Sequence, residues 1–555
     1  MSHKLVPDGN GASVHTTPSN LSTITDATLS PTPTHPTRSS PAAPPAPEQI
    51  AAPEGTPLID SNSPASTLKN AAVTDSAEAT PGFRIERDSL GRVEVPAEAY
   101  WGVHTKRALD NFPIAKRPIS VYPDFVVALA SVKQACARAN AEVGALSQER
   151  ADWIDAACQE IIEGKHHDQF VVGVMQGGAG TSTNMNANEV ICNLALENAG
   201  YGRGRYDILS PIDHVNRSQS TNDTYPTAIK IALAFFLKHL LRELKALQGS
   251  FSVKAEEFGQ ILKVGRTQMQ DAVPMTLGQE FHGFATTLGE DYDRLTETIW
   301  LLAEVNLGAT AIGTGITADP GYAAAAIRHL NIITGLNLET APDLIESTSD
   351  AGSFMSFSGN LKRSAIKLSK ICNDLRLLSS GPQAGFGEIN LPPRQAGSSI
   401  MPGKVNPVIP EVVNQVAFAV AGADVTVTMA AEGGQLQLNA FEPVIAHYLF
   451  QSLTWMTQAM WTLRVNCIDG ITANEDRLAA MVGSSVGVIT ALIPHIGYAA
   501  AAALAQTALL TGRNVADLVV EANLMTREDV MRELEPARLS GMEPDTGTSS
   551  IPIIE

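Results

Sequence analysis

Eleven residues, Gly397-Ser398-Ser399-Ile400-Met401-Pro402-Gly403-Lys404-Val405-Asn406-Pro407, gather two hydroxyls, two glycines, two prolines, one ammonium and one carboxamide just ahead of a long apolar segment. Such a loop is suited to presenting polar groups to a ligand. Glycine permits positive φ and close approach of main-chain N–H groups, here at Gly397 and Gly403, while proline limits where the loop can bend. A serine can remove a proton only where backbone N–H groups and a nearby cation stabilise its alkoxide. Ser398 has both within reach, the N–H groups that follow it and Lys404 on the same loop. On composition alone an ordinary surface turn fits equally well.

Further polar clusters precede it. Gly177-Gly178-Ala179-Gly180-Thr181-Ser182-Thr183-Asn184-Met185-Asn186-Ala187-Asn188-Glu189 is first glycine-rich, then hydroxyl-rich, and runs into Val190-Ile191-Cys192. Free N–H groups and the dipole at such a helix start favour a carboxylate or phosphate. The missing Gly-Lys-Ser/Thr ending argues against a nucleotide phosphate. The competing reading is that Thr181 and Ser182 merely cap the helix. Next comes His214-Val215-Asn216-Arg217-Ser218-Gln219-Ser220-Thr221-Asn222-Asp223, ahead of Pro226 and apolar Ile229 to Leu247. Pro226 suits a first helical turn. Ser218, Ser220, Thr221 and Asn222 offer more hydrogen-bonding groups than one helix end requires, whereas His214, with no second histidine at metal-ligand spacing, reads as structural. The last cluster is Gly265-Arg266-Thr267-Gln268-Met269-Gln270-Asp271-Ala272.

Helices must position these groups. Leu277, Phe281, Phe284, Leu288, Tyr292, Leu295, Ile299 and Leu302 step by four and three, a bundle seam close to the coiled-coil repeat. Phe125 to Ala141 carries Val127, Leu129, Val132 and Ala135 at helical intervals, and similar patterning recurs from Leu361 to Leu378 and from Val412 through the 450s. Strand-like alternation is scarce. The expected fold is therefore all-α, or mainly α, with a long-helix bundle as its middle third. Past Gly470-Ile471-Thr472-Ala473-Asn474 the pattern shortens, with a break at Gly512-Arg513-Asn514.

The 555 residues are 44% apolar and 17% charged, enough to bury a sizeable core. A net charge of −19 argues against nucleic acid and anionic membranes as partners, and obliges any site for an anion to make its own positive potential. Cys136, Cys158, Cys192, Cys372 and Cys467 are scattered singly, which disfavours a disulfide framework or zinc site and suggests small core residues. No run of about 18 apolar residues is evident, so no membrane span is expected. Met1 to about Pro81 is dominated by Ser, Thr, Pro and Ala and reads as disordered. It lacks the marks of a secretory signal or an organellar transit peptide, so the cytoplasm is the expected compartment.

The loop Gly397 to Pro407, with Ser379-Ser380-Gly381-Pro382 and Glu388-Ile389-Asn390-Leu391-Pro392 near it, resembles the signature region of the aspartase/fumarase superfamily. The likeness runs from Phe83-Arg84-Ile85-Glu86-Arg87-Asp88 to about Glu535, and its wording is most similar to members that eliminate ammonia from aspartate. The disordered Ser/Thr/Pro/Ala-rich extension (1–82) falls outside the resemblance, which implies an N-terminal helical domain (83–220), a central domain of long helices (221–475) and a small C-terminal helical domain with a tail (476–555). It implies homotetramers whose active sites draw loops from three subunits. The implied reaction is reversible conversion of L-aspartate to fumarate and ammonia, with small molecules as substrates and no obligatory cofactor or metal ligand; a divalent cation as activator stays open.

Carried over by position, Ser398 would remove the C3 proton. Thr181, Ser220, Thr221 and Ser399 would hold the carboxylate on which charge develops, and Lys404 and Asn406 the other one. Asn222, with Thr181 and Gln268, would lie near the amino group, and Thr267 joins the expected substrate contacts. Many superfamily members carry a histidine where Gln268 stands, so no histidine-assisted step is expected, and Glu411, that histidine's partner where it is present, is left outside the contacts. Two alternatives remain: a fumarate hydratase on the same fold, and a catalytically silent structural protein, against which intact Ser398, Lys404 and Asn406 speak.

Overall fold

The computed structural model describes residues 79–541, so the reading of the N-terminal extension falls outside the described residues for all but its last positions. The described chain opens on an antiparallel hairpin, β1 (Phe83–Asp88) and β2 (Gly91–Pro96), with Phe83 opposite Pro96. Helices α1 (Val103–Asn111), α2 (Pro123–Glu142), α3 (Gln148–Ile162) and α4 (Thr181–Asn198) follow. Proline begins α2, where its missing N–H costs nothing.

The organising element is α5 (Thr221–Glu257), 37 residues long, which at 1.5 Å per residue spans about 55 Å. It starts one turn earlier than Pro226 suggests. Ser220 caps it through the N–H of Asn222, and Ser220 and Asp223 form a reciprocal capping box. Pro226 therefore lies inside the helix and cannot donate to the Asn222 carbonyl. That carbonyl instead accepts a 3.0 Å bond from the Asn306 side-chain amide.

A second hairpin, β3 (Leu262–Thr267) and β4 (Gln270–Thr276), which sequence alternation did not reveal, slips register between Val264 and Arg266 and returns the chain into α6 (Leu277–Glu297). Phe251 against Phe284 and Lys245 over Tyr292 show α6 running back along α5. The expected seam is buried at Leu277, Phe281, Phe284, Leu288, Leu295 and Leu302, but the helix breaks at Thr298 and Ile299 turns outward. Short α7 (Ile299–Ala303), α8 (Tyr322–Thr334) and α9 (Leu344–Ser349) lead to α10 (Gly352–Leu378), α11 (Val408–Glu432) and α12 (Glu442–Asn466). The segment read as helical from Val412 through the 450s is thus two helices.

Antiparallel α10 and α11 are tied by Lys362 to Asp424 at 2.5 Å and by Asn414 to the Ser369 carbonyl at 3.0 Å. α12 runs parallel to α5, since Phe450 meets Phe236 and Arg464 meets Glu243 further on. By length and composition alone α11 could cross a membrane, but Asn414, Gln415 and Asp424 interrupt its apolar run, in keeping with the expectation that no span is indicated. α13 (Glu475–Ser484), α14 (Ile493–Ile496), α15 (Tyr498–Thr511), α16 (Val515–Glu521), α17 (Arg527–Glu533) and α18 (Pro536–Leu539) follow, with the expected break at Gly512 and Asn514. They form their own apolar cluster around Leu492, Val519 and Val530, which Val264 of β3 joins.

All five cysteines are buried thiols. Near the middle of α5 the Phe450 ring sits 5.0 Å from that of Phe125 and 5.3 Å from that of Phe236, joining α2, α5 and α12. Phe450→Ala should cost about 3–5 kcal/mol, the range for emptying a buried aromatic site, read as a lowered denaturation midpoint with helical circular dichroism retained at low temperature.

Candidate active site

One set of polar groups is built where α4 and α5 begin. Gly180, at φ 87°, precedes α4, and a Cβ there would lie 2.5 Å from the Tyr225 ring. No side chain caps α4, so Thr181 and Ser182 do not spend themselves as caps. Thr181 stands exposed in the first turn. Asn184 bridges to α5: its backbone N–H bonds the Gly180 carbonyl and its side-chain amide donates to Thr221 Oγ1 at 3.1 Å. Ser218, counted among the available donors, is buried and donates instead to Asn140 Oδ1 at 2.7 Å. His214 accepts the Ser210 N–H and so serves the local turn.

Two groups that sequence reasoning missed hold this cluster. Asp223 accepts N–H groups from Ser220, Gly308 and Thr310, at 3.0, 3.2 and 2.9 Å, and burial pushes its carboxyl up to about 7. Those bonds fasten the 306–311 loop over the start of α5. Asn222 then donates to the Ala311 carbonyl at 2.7 Å, which leaves its amide oxygen as the group free to accept. Lys133 lies beneath, fully buried, and burial pushes its ammonium down to about 8. A lone lysine among Val127, Leu129, Val132 and Ala135 was the available signal for it.

The second set lies at the far end of α5. Thr267 and Gln268 are at the tip of the β3–β4 hairpin, where Gln268 and Met269 adopt positive φ of 51° and 65°, a tight turn without its usual glycine. The hairpin is anchored from below. Glu388, with no exposed surface, receives Arg266 at 2.5 Å and Lys263 at 2.9 Å, while Lys263 also meets Glu280 and the Arg266 guanidinium lies 4.2 Å from the Phe386 ring centroid.

Beside it, the 397–407 loop closes on itself. The Gly397 N–H bonds the Lys404 carbonyl, and the Asn406 amide donates to the Gly397 carbonyl, both at 2.8 Å. Gly397 is needed for space and not for positive φ, because a Cβ would lie 2.5 Å from the Lys404 oxygen; Gly403 does adopt φ 82°. Within the loop, Ser398 Oγ accepts the N–H of Ile400 at 3.2 Å and of Met401 at 2.9 Å. Ser399 and Lys404 are exposed. Asn406 also lines a cavity of about 850 Å³ shared with Asn390, Asn474 and Arg477.

In a single copy of the chain these sets do not meet. Lys254 near the end of α5 bonds the Ile471 carbonyl, and Asn474 bonds Glu388, so the hairpin and the Ser398 loop share the end opposite Ser220. About 55 Å of α5 separates the two sets. Among the described residues no cluster of three or more His, Cys, Asp or Glu is placed to hold a metal ion.

A lyase family model matches residues 91–422, and a model for the fumarase C C-terminus matches 488–541. The chain belongs to the aspartase/fumarase superfamily. Relatives of this superfamily member include the aspartate ammonia-lyase of Pseudomonas aeruginosa, 58% identical over 82% of this chain and 96% of that one. The Escherichia coli aspartate ammonia-lyase is 52% identical over 81% of this chain and 94% of its own. A solved Brucella melitensis structure described as a fumarate lyase:delta crystallin, bound to cobalt, is 51% identical with a TM-score of 0.81, over 82% of this chain and 99% of that one. A class II fumarase from Schistosoma mansoni is more distant in sequence, at 33%, yet has a TM-score of 0.79 over 83% of this chain and 100% of its own.

Glu388→Gln removes the charge against which Arg266 and buried Lys263 are set. Breaking buried pairs in this way costs about 3–5 kcal/mol, so the variant should show a lowered thermal midpoint together with a raised KM, because the hairpin tip loses its anchor.

Proposed function

We propose that this chain deaminates L-aspartate reversibly to fumarate and ammonia, with Ser398 as the base. The observation that carries the chemistry is the pair of backbone N–H groups donated to Ser398 Oγ by Ile400 and Met401. An alkoxide needs such donors and a nearby cation, and Lys404 lies on the same loop. Ser398 takes the C3 proton, the electrons move onto the adjacent carboxylate as an aci-form dianion, and the C–N electron pair then leaves with nitrogen as ammonia. The barrier is electrostatic, and a preorganised donor aimed at developing oxyanion charge is commonly worth about 3–4 kcal/mol. Thr181, Ser220, Thr221 and Ser399 are assigned to that dianion, Lys404 and Asn406 to the other carboxylate.

The accepting oxygen of Asn222 suits the substrate ammonium, with Thr181 of the same end beside it and Thr267 and Gln268 supplied by another copy of the chain. Gln268 cannot titrate and so cannot activate water as an imidazole does. Relatives named for aspartate deamination at 51 and 58% identity support the same choice.

Because the two polar sets occupy opposite ends of one bundle, antiparallel neighbours are needed to bring the Ser398 end of one copy to the Ser220 end of another, and the homotetramer is the assembly proposed to supply them. An apolar stripe on α11, with Phe418, Val425 and Met429 at 63, 59 and 69% exposure, supports burial against further copies. The cytoplasm is the assigned compartment.

Ultraviolet absorbance should report fumarate from L-aspartate. Fumarate should be consumed in ammonium buffer and left untouched without ammonium; malate forming at a comparable rate in the second case would make this a hydratase. Ser398→Ala should abolish turnover with the fold retained. Ser398→Ala and Thr181→Val should each be inactive alone, yet regain activity when unfolded together and refolded as mixed oligomers. A mixture that stays inactive would sink the shared site.

A further inference from the structure

Lys133 has no place in the proposed reaction, yet it is completely buried under the candidate carboxylate site. Its Nζ donates to Asn184 Oδ1 at 2.6 Å, Gln219 Oε1 at 2.8 Å and Asn216 Oδ1 at 3.1 Å. A lysine ammonium has three donors and no acceptor, so each of its partners must present oxygen. That requirement fixes which way three carboxamides face. Asn216 Oδ1 accepts two further bonds, from the amides of Asn184 and Asn188, each at 3.1 Å. The amide of Gln219 is held the same way round, by the Val215 and Arg217 carbonyls.

The consequence reaches the site through Asn184. With its oxygen taken by Lys133, its NH₂ faces Thr221 and donates to Oγ1 at 3.1 Å. A threonine hydroxyl that already accepts from within still has its single proton to give. The Thr224 hydroxyl points within the network, with the Ser220 carbonyl at 2.9 Å and Asn184 Oδ1 at 3.3 Å as its acceptors.

We propose that Lys133 is a positioning residue: acting through Asn184, it sets the direction of the hydrogen bond at Thr221, so that the Thr221 hydroxyl is offered outward as a donor to a substrate carboxylate. The inference rests on the reading of Thr221 as a substrate contact. A merely space-filling role would not need an ammonium, since burying one is costly and an apolar side chain of similar volume fills space without that cost. Nor can Lys133 touch substrate itself, being enclosed between α2, α4 and the 216–221 turn.

Asn184→Asp tests the direction of the bond with almost no change of shape. A carboxylate keeps Lys133 paired, but it has only acceptors, so the hydroxyl of Thr221 must turn inward to meet it. Losing one hydrogen bond to a charged group corresponds to about a 10- to 100-fold fall in kcat/KM, expressed mainly as raised KM and weakened inhibition by succinate. In a Thr221→Val background the same substitution should change kcat/KM by less than about twofold. Lys133→Met, run through the same cycle, should behave alike.

An undiminished loss in the Thr221→Val background would mean that the network acts by charge or geometry independently of Thr221, and would overturn the proposal. So would wild-type kinetics in Asn184→Asp, or failure of both network variants to fold while Thr221→Val folds. Succinate protection against thermal unfolding is measured in every variant. It reads the carboxylate contact without turnover, so a wild-type protein that binds succinate but leaves aspartate unchanged would fail the functional reading and still leave this one testable.

Discussion

The constraint on which the rest depends is the unbroken length of α5. Its 37 residues hold one hydrogen-bonded ladder, and a helix of that length cannot bring its own ends together. Everything fastened to its start stays about 55 Å from everything fastened to its end. The one internal defect, Pro226, is repaired locally by Asn306, so the helix need not break where the sequence seems to allow it. α12 packs on α5, α10 on α6, and α11 on α10 and α12, and the polar groups assigned to the proposed reaction are divided between the two ends of the bundle.

At each end, the polar groups are held by a buried ionic or amide network that takes no direct part in the proposed reaction. Asp223 gathers three N–H groups from two segments, and Lys133 orients three carboxamides. At the other end Glu388 gathers two cations under the hairpin. Buried charges are costly unless satisfied, and here each is met by partners from more than one segment of the chain. The outer groups are mostly neutral hydroxyls and amides. In a chain of net charge −19, neutral donors can face an anion without adding to the repulsive field, and in the proposed reaction Lys404 would supply the local positive charge.

The hairpin also links the central bundle to the C-terminal helices. Val264 of β3 belongs to their apolar cluster, while Arg266, two residues on, belongs to the Glu388 network. A displacement of those helices would therefore be felt at Gln268, through a strand only six residues long.

What the sequence determined by itself was the periodic part. The 3.5-residue seam of α6, the apolar pattern of α2 and α10 and the glycine break at Gly512 are local properties, legible because apolar side chains repeat at the helical period. The Ser398 segment was legible as a loop, since glycine and proline punctuate it, but composition alone did not separate a site from an ordinary turn. Position of helix ends was less so: Pro226 suggested a first turn, but the capping box at Ser220 and Asp223 and the amide of Asn306, distant in sequence, decided it. The β3–β4 hairpin escaped notice because Gln268 and Met269 take positive φ without glycine, an arrangement held by Glu388, far along the chain. Lys133 gave a hint but no role. Only the tertiary structure supplied its three oxygen partners, because hydrogen-bond direction depends on which atoms meet, and the sequence separates Lys133 from Gln219 by 86 residues.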